Sequence, residues 1–195
     1  PPGQPVALFV GRVAHEKNIG FLLEALVHTR RQCPDALLVV AGEGPASADL
    51  QARAGQLGLA GGVRFIGYLD RRDALPGCYA AADVFAFASR TETQGLVLLE
   101  AMAAGLPVVA LSEMGTADIL DGGRGSIVPP ACPQVFGETL AHILNHPSAW
   151  QHLGDDAAQY AREWSDVAMA GRMAELYRRM AATEFAPQRP LTAAA

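Results

Sequence analysis

Apolar positions along this chain fall into two alternating patterns. Short runs rich in Val, Ile, Leu and Phe, apolar on consecutive residues, occur at 6–10, 36–41, 63–66, 84–88, 107–111 and 126–128. Runs of that length without polar alternation are strands buried on both faces. Between them apolar residues recur at helical spacing, which predicts helices over 19–31, 48–57, 72–82 and 96–104 and a short one at 117–120. Strands that alternate with helices predict a six-stranded parallel sheet with right-handed crossovers covering both faces, a doubly wound α/β domain. Beyond Pro129-Pro130 the pattern is helical only, over 134–145, 149–163 and 167–182. His146-Pro147 separates the first two, and Asp166 is placed to cap the third. The expected division is a linker at 1–5, the α/β domain at 6–147, C-terminal helices at 148–184, and a flexible Pro- and Ala-rich tail at 185–195.

One segment breaks the pattern informatively. Residues 95–111 read GLVLLEAMAAGLPVVAL, with Glu100 as the single charge. A helix apolar on every side is buried, and a carboxylate carried into such a place is costly unless a partner compensates it. Glu100 is therefore expected to face a cleft and to accept hydrogen bonds from something bound there. A carboxylate can accept from two hydroxyls at once, as when it holds a ribose diol or a sugar. Upstream, residues 89–95 (SRTETQG) form a polar loop that runs into the helix start. A helix N-terminus offers unpaired N–H groups and a positive dipole end, which suits phosphate. Gly95 at its mouth is expected to be glycine because a Cβ would intrude on the phosphate oxygen. Glu92 and Glu100 then bracket an anion site.

Sheets of this kind bind ligands beyond the carboxyl ends of their strands. Glycines and polar residues gather in the loops expected there: 11–18 (GRVAHEKN), 42–45 (GEGP), 67–70 (GYLD) and 89–95. Arg12 and Lys17 share the first loop, and two cations there suit a diphosphate, though a solvated loop pair would look the same. GEGP lacks the spacing of a dinucleotide fingerprint and reads as a tight turn with Pro45 at the first position of a helix.

Composition narrows the classes. The chain has 195 residues, of which 50% are hydrophobic and 18% charged, enough for one domain with a real core. A formal net charge of −5 without a basic block argues against nucleic acid. No apolar run is long enough to span a membrane unbroken. Cys33, Cys78 and Cys132 lack metal-ligand spacing and read as small buried apolar residues in a reducing, cytoplasmic setting. The five histidines are scattered, and no D-x-D occurs. The Pro-Pro-Gly start, without methionine, reads as an interdomain linker of a longer protein.

Taken together, GRVAHEKN, VVAGEGP, VRFIGYL, DVFAFASRTETQGLVLLEAMAAGLPVVA and GGRGSIVPP resemble, in order, the donor-binding half of a family 4 glycosyltransferase of the GT-B fold. The resemblance implies a Rossmann-like domain over 6–147 that binds a UDP-, GDP- or ADP-sugar. It implies catalytic roles for Arg12 and Lys17, on the donor diphosphate, and for Glu92, on the transferred sugar. Gly95, Leu96 and Val97 would offer backbone N–H groups to phosphate, Glu100 would hold the ribose, and the base would lie near Ile66 and Gly67, with Gly11 and Gly42 lining the donor site. It implies retention of anomeric configuration, no metal and no cofactor. Such enzymes carry a first domain with the acceptor site, and association of the full-length enzyme with a membrane surface is compatible with the resemblance. The last helix would pack back on that first domain, so 167–182 is expected to expose Met169, Met173, Leu176 and Met180, and this chain alone is expected to be inactive. A nucleotide-sugar epimerase of the same fold and a non-catalytic nucleotide-binding module remain as alternatives.

Overall fold

The computed structural model describes residues 3–184, which form two compact units, one ending at Ala161 and the other starting at Arg162. The first holds the six strands β1 (Val6–Val10), β2 (Leu37–Ala41), β3 (Val63–Gly67), β4 (Val84–Phe87), β5 (Val108–Ala110) and β6 (Ser126–Ile127). Helices α1 (Ile19–Gln32), α2 (Ser47–Gln56), α3 (Ala74–Ala80), α4 (Leu96–Ala103) and α5 (Gly115–Leu120) connect them, followed by α6 (Pro133–Asn145) and α7 (Pro147–Glu163). Every strand pair is parallel, in the order β3-β2-β1-β4-β5-β6. The chain winds outward from β1 through β3 and then returns to lay β4 against β1. That reversal opens a crevice above the carboxyl ends of β1 and β4.

The strands are apolar because both faces are covered. Leu8, Phe9, Phe85 and Phe87 are at most 1% exposed, and the rings of Phe9 and Phe87 stack at 5.8 Å. β5 and β6 are shorter than expected: β5 pairs with β4 over Val108–Ala110, and β6 pairs with β5 only through Ser126 and Ile127. α3 is also shorter than the expected 72–82. The Asp70 carboxylate accepts from the backbone N–H of Arg72 (2.9 Å) and Asp73 (3.2 Å), turning the chain before the helix begins.

α6 returns across the sheet unit and lies directly on α1. A Cβ on Gly137 would fall 2.2 Å from the Ala25 carbonyl oxygen, so the two backbones touch. Thr29 Oγ1 lies 3.0 Å from the Gly137 carbonyl and 3.1 Å from that of Ala25, donating where the helices meet. α7 is equally close to the sheet. Gly154 abuts the Gly105 carbonyl, and a Cβ on Gly125 would fall 2.3 Å from Ala157. The helical segment expected at 148–184 is thus divided: α7 as far as Ala161 is part of the sheet unit.

The expected linker also ends earlier. Pro5 accepts a hydrogen bond from Leu37 N–H at 2.9 Å and Gln4 donates to Asp35 at 3.0 Å, so these residues already run beside the start of β2. Residues 1–2 and the expected tail at 185–195 lie outside the described residues.

The second unit contains α8 (Asp166–Glu184). Asp166 is its first helical residue, and Ser165 performs the capping, its Oγ accepting from Ala168 N–H at 3.2 Å. Met173, Leu176 and Met180 are exposed, together with Val167 and Tyr177, and Met169 is half-buried. Among the described residues no helix is long and apolar enough to cross a membrane.

Candidate functional site

The floor of the crevice is main chain. Gly11 N–H donates to Ala41 (3.0 Å), Val13 N–H to Glu43 (2.9 Å) and Gly42 N–H to Gly67 (2.8 Å), so the loops after β1, β2 and β3 continue the sheet's contacts past its edge. This seam explains GEGP. A Cβ on Gly42, whose φ is +143°, would fall 1.9 Å from the Gly11 carbonyl oxygen, and one on Gly44 would fall 2.2 Å from that of Val13. The glycines allow two backbones to touch. Pro45 stands ahead of α2 rather than at its first position, since the helix begins at Ser47.

Two adjoining chambers open above this floor and share Val10, Gly11, Arg12, Arg71 and Val97 as a common wall. One, of about 450 Å³, lies over β1 and β4 and is lined also by Lys17, Glu92, Gly95 and Leu96. The other, of about 360 Å³, extends over β2 and β3 and is lined by Gly42, Glu43, Tyr68, Leu69, Leu75 and Glu100. Nine of the residues singled out from sequence therefore line one continuous cleft: Gly11, Arg12, Lys17, Gly42, Glu92, Gly95, Leu96, Val97 and Glu100. Ile66 and Gly67 close β3 but line neither chamber; the next residues, Tyr68 and Leu69, form the wall there.

Most charges in the cleft are paired; Glu43 instead accepts from the Tyr68 N–H at 3.3 Å. Lys17 Nζ donates to Glu92 Oε1, and the two side chains are only 19% and 17% exposed. A single 3-10 turn, His15–Lys17, aims Lys17 inward; at three residues it is too short to leave a periodic signal in the sequence. Asn18 follows in the left-handed region at φ +54° and donates to the Ala88 carbonyl at 3.2 Å, tying this loop to the end of β4. Arg12 pairs with Glu16 at 3.6 Å, with both side chains well exposed.

Glu100 differs from expectation. Its helix is not enclosed on all sides: Leu98, Ala101 and Met102 are buried, Leu96 is exposed, and Val97 and Glu100, about one turn apart, are half-buried. Nor is Glu100 alone. Arg71 donates to its Oε1, and Tyr79 OH donates to its Oε2 at 3.0 Å. Burial, and then the neighbouring Glu100 charge, push the Tyr79 hydroxyl pKa well above the ordinary tyrosine range. Sequence reasoning missed both partners. Arg71 stands one residue past the 67–70 loop, and Tyr79 looks like one more apolar residue on α3.

Gly95 corrects another expectation. It adopts φ +66° at the cap of α4, with Leu98 N–H donating to its carbonyl at 2.9 Å. A Cβ there would meet Thr116 Cγ2 at 3.2 Å and Ile119 Cδ1 at 3.6 Å, pointing into the core against α5 and not toward an anion in the cleft. Glycine is required by the backbone turn and by this packing. The preceding loop is held from the same side. Gly115 N–H donates to the Glu92 carbonyl at 2.9 Å, and a Cβ on Gly115 would fall 2.1 Å from the Thr93 carbonyl. Of the cysteines, Cys33 is buried as expected, whereas Cys78 and Cys132 are partly exposed; all three are free thiols.

Comparison with known proteins places this architecture. The family model for glycosyl transferases group 1 matches residues 1–164. The chain is similar to the alpha-D-kanosaminyltransferase of Streptomyces kanamyceticus, 30% identical over 177 residues, covering 90% of this chain and 46% of that protein. It is 33% identical over 182 residues to the GDP-mannose-dependent alpha-(1-6)-phosphatidylinositol monomannoside mannosyltransferase of Mycolicibacterium smegmatis, covering 89% of this chain and 47% of the relative. The chain thus spans about half the length of these relatives. The crystal structure of Anabaena Alr3699/HepE in complex with UDP and glucose superposes with a TM-score of 0.76 at 25% identity, over 90% of this chain and 48% of that one. Since the family match takes in the whole sheet and every residue of the cleft, the chain belongs to the group 1 glycosyl transferases and carries a Rossmann-like domain of their GT-B fold.

Proposed function

We propose that this chain is the donor-binding half of a family 4 glycosyltransferase, which moves a hexose-type sugar from a nucleoside-diphosphate sugar to an acceptor with retention of anomeric configuration and without a metal. The observation that carries it is convergence. Arg12, Lys17 and the start of α4 border the same chamber, and Glu100 borders the adjoining one. Arg12, Lys17 and the N–H groups that open α4 take the diphosphate and stabilise the negative charge it gains as the sugar leaves. Glu92 keeps Lys17 on one carboxylate oxygen and offers the other to a hydroxyl of the transferred sugar. Glu100 accepts from the ribose diol, and the base lies over the β3 end against Tyr68 and Leu69. The acceptor is supplied by a further half outside this chain, on which the apolar side of α8 packs.

The relatives support this reading. One is named as GDP-mannose-dependent, and a structural neighbour was crystallised with UDP and glucose. The test is a calorimetric titration of this chain with UDP, GDP and ADP, with and without EDTA. One of the three binds, and EDTA leaves its affinity unchanged, because fixed cations neutralise the diphosphate. Absence of binding by all three at millimolar concentration overturns the assignment.

A further inference from the structure

Arg71 belongs to no motif singled out above, yet among the described residues it is the one cation that both lines the two chambers and touches Glu100. We infer that Arg71 is an exchangeable counter-ion: it holds Glu100 until a ribose diol takes that carboxylate, and then turns to the diphosphate beside Arg12 and Lys17. This rests on the donor-site reading above. Three observations carry it.

Glu100 has two partners of unequal permanence. Tyr79 is buried and holds Oε2, so it keeps the carboxylate pointed at the cleft. The Arg71 side chain is 66% exposed and holds Oε1. An ion pair that open to water contributes little stability, so two hydroxyl hydrogen bonds can displace it. Arg71 also has somewhere to go, because its side chain already borders the chamber lined by Arg12, Lys17 and the start of α4. A guanidinium released there meets phosphate oxygens in forked geometry.

The exchange makes the two ends of the ligand interdependent. A nucleoside without phosphates has to displace Arg71 from Glu100 and gives the displaced cation nothing to bind. A nucleoside diphosphate displaces it and binds it. Arg71 thereby penalises the first ligand and rewards the second, which selects for the diphosphate form.

The test compares wild type and Arg71→Ala by NMR titration, which measures millimolar affinities. The ligands are whichever of UDP, GDP and ADP binds wild type, and its parent nucleoside. The expected changes have opposite sign: the diphosphate binds at least about tenfold more weakly, and the nucleoside binds several-fold more tightly. Arg71→Lys keeps a charge and restores part of both effects. Arg90→Ala removes a cation that pairs with Glu113 at 3.5 Å and lines neither chamber, so it changes neither affinity. A nucleoside affinity that is unchanged or weakened in Arg71→Ala overturns the exchange while leaving the donor site standing. Failure of all three diphosphates to bind wild type overturns the donor site itself.

Discussion

On the proposed reading, single residues in this cleft divide into those that meet a ligand and those that hold the chain in shape, and substitutions separate the two. The Arg12 side chain reaches the cleft exposed and, among the described residues, pairs with Glu16 across 3.6 Å. Arg12→Ala is therefore expected to leave the fold alone. It weakens nucleoside diphosphate binding by about tenfold or more, since one charge-assisted contact contributes about 1.5–3 kcal/mol, and it barely changes nucleoside binding. Parallel titrations check this, and equal losses for both ligands refute the phosphate role. Gly95 is the opposite case. Valine there needs φ +66° and places its first carbon against Thr116 and Ile119. Gly95→Val is expected to cost about 2–3 kcal/mol of stability, seen as a lowered thermal midpoint, before any effect on ligand is considered. A midpoint equal to wild type refutes the packing explanation. From sequence alone Gly95 was recognisable as important, but the direction of its missing Cβ is a property of how α5 packs, and no local pattern encodes that.

Elements explain why some of the site was legible and some was not. Strands covered on both faces leave continuous apolar runs, so β1 was delimited to the residue, and the glycine-rich loops marked the rim. What stayed hidden were pairings between elements: Arg71 beyond β3 and Tyr79 on α3 both converge on Glu100 of α4. Each looks unremarkable along the chain, and only the folded chain brings both to the carboxylate of Glu100. This junction makes a measurable link between pH and stability. With its folded pKa raised, Tyr79 keeps its proton in the folded chain when the unfolded chain gives it up near pH 10. The folded state then binds more protons than the unfolded one, so stability is fully present below that pH and falls as pH rises above it. Cys33 and Cys78, raised chiefly by burial, add to the slope from a lower pH. Tyr79→Phe is expected to flatten the part of the decline above about pH 10 in denaturation curves, leaving the cysteine part. An unchanged slope refutes the burial of the hydroxyl.

At the scale of the whole molecule, the chain covers less than half the length of the relatives quoted above. Sites that align two reactants and exclude water depend on a second wall. The expected outcome is that this chain binds its nucleotide weakly and transfers no sugar, and that transfer appears when the complementary half is added in trans with donor and acceptor. Transfer by this chain alone refutes that division of labour. The glycine seam beneath the cleft has a consequence for how such a domain diversifies. A floor built from carbonyls and N–H groups makes its contacts through main chain, and Gly42 and Gly44 admit no larger residue. Evolutionary drift and laboratory libraries alike are confined to the walls, where Tyr68 and Leu69 stand. On the proposed reading, a lineage can therefore exchange one nucleobase for another by rewriting a few wall positions while the bed beneath the donor is inherited unchanged.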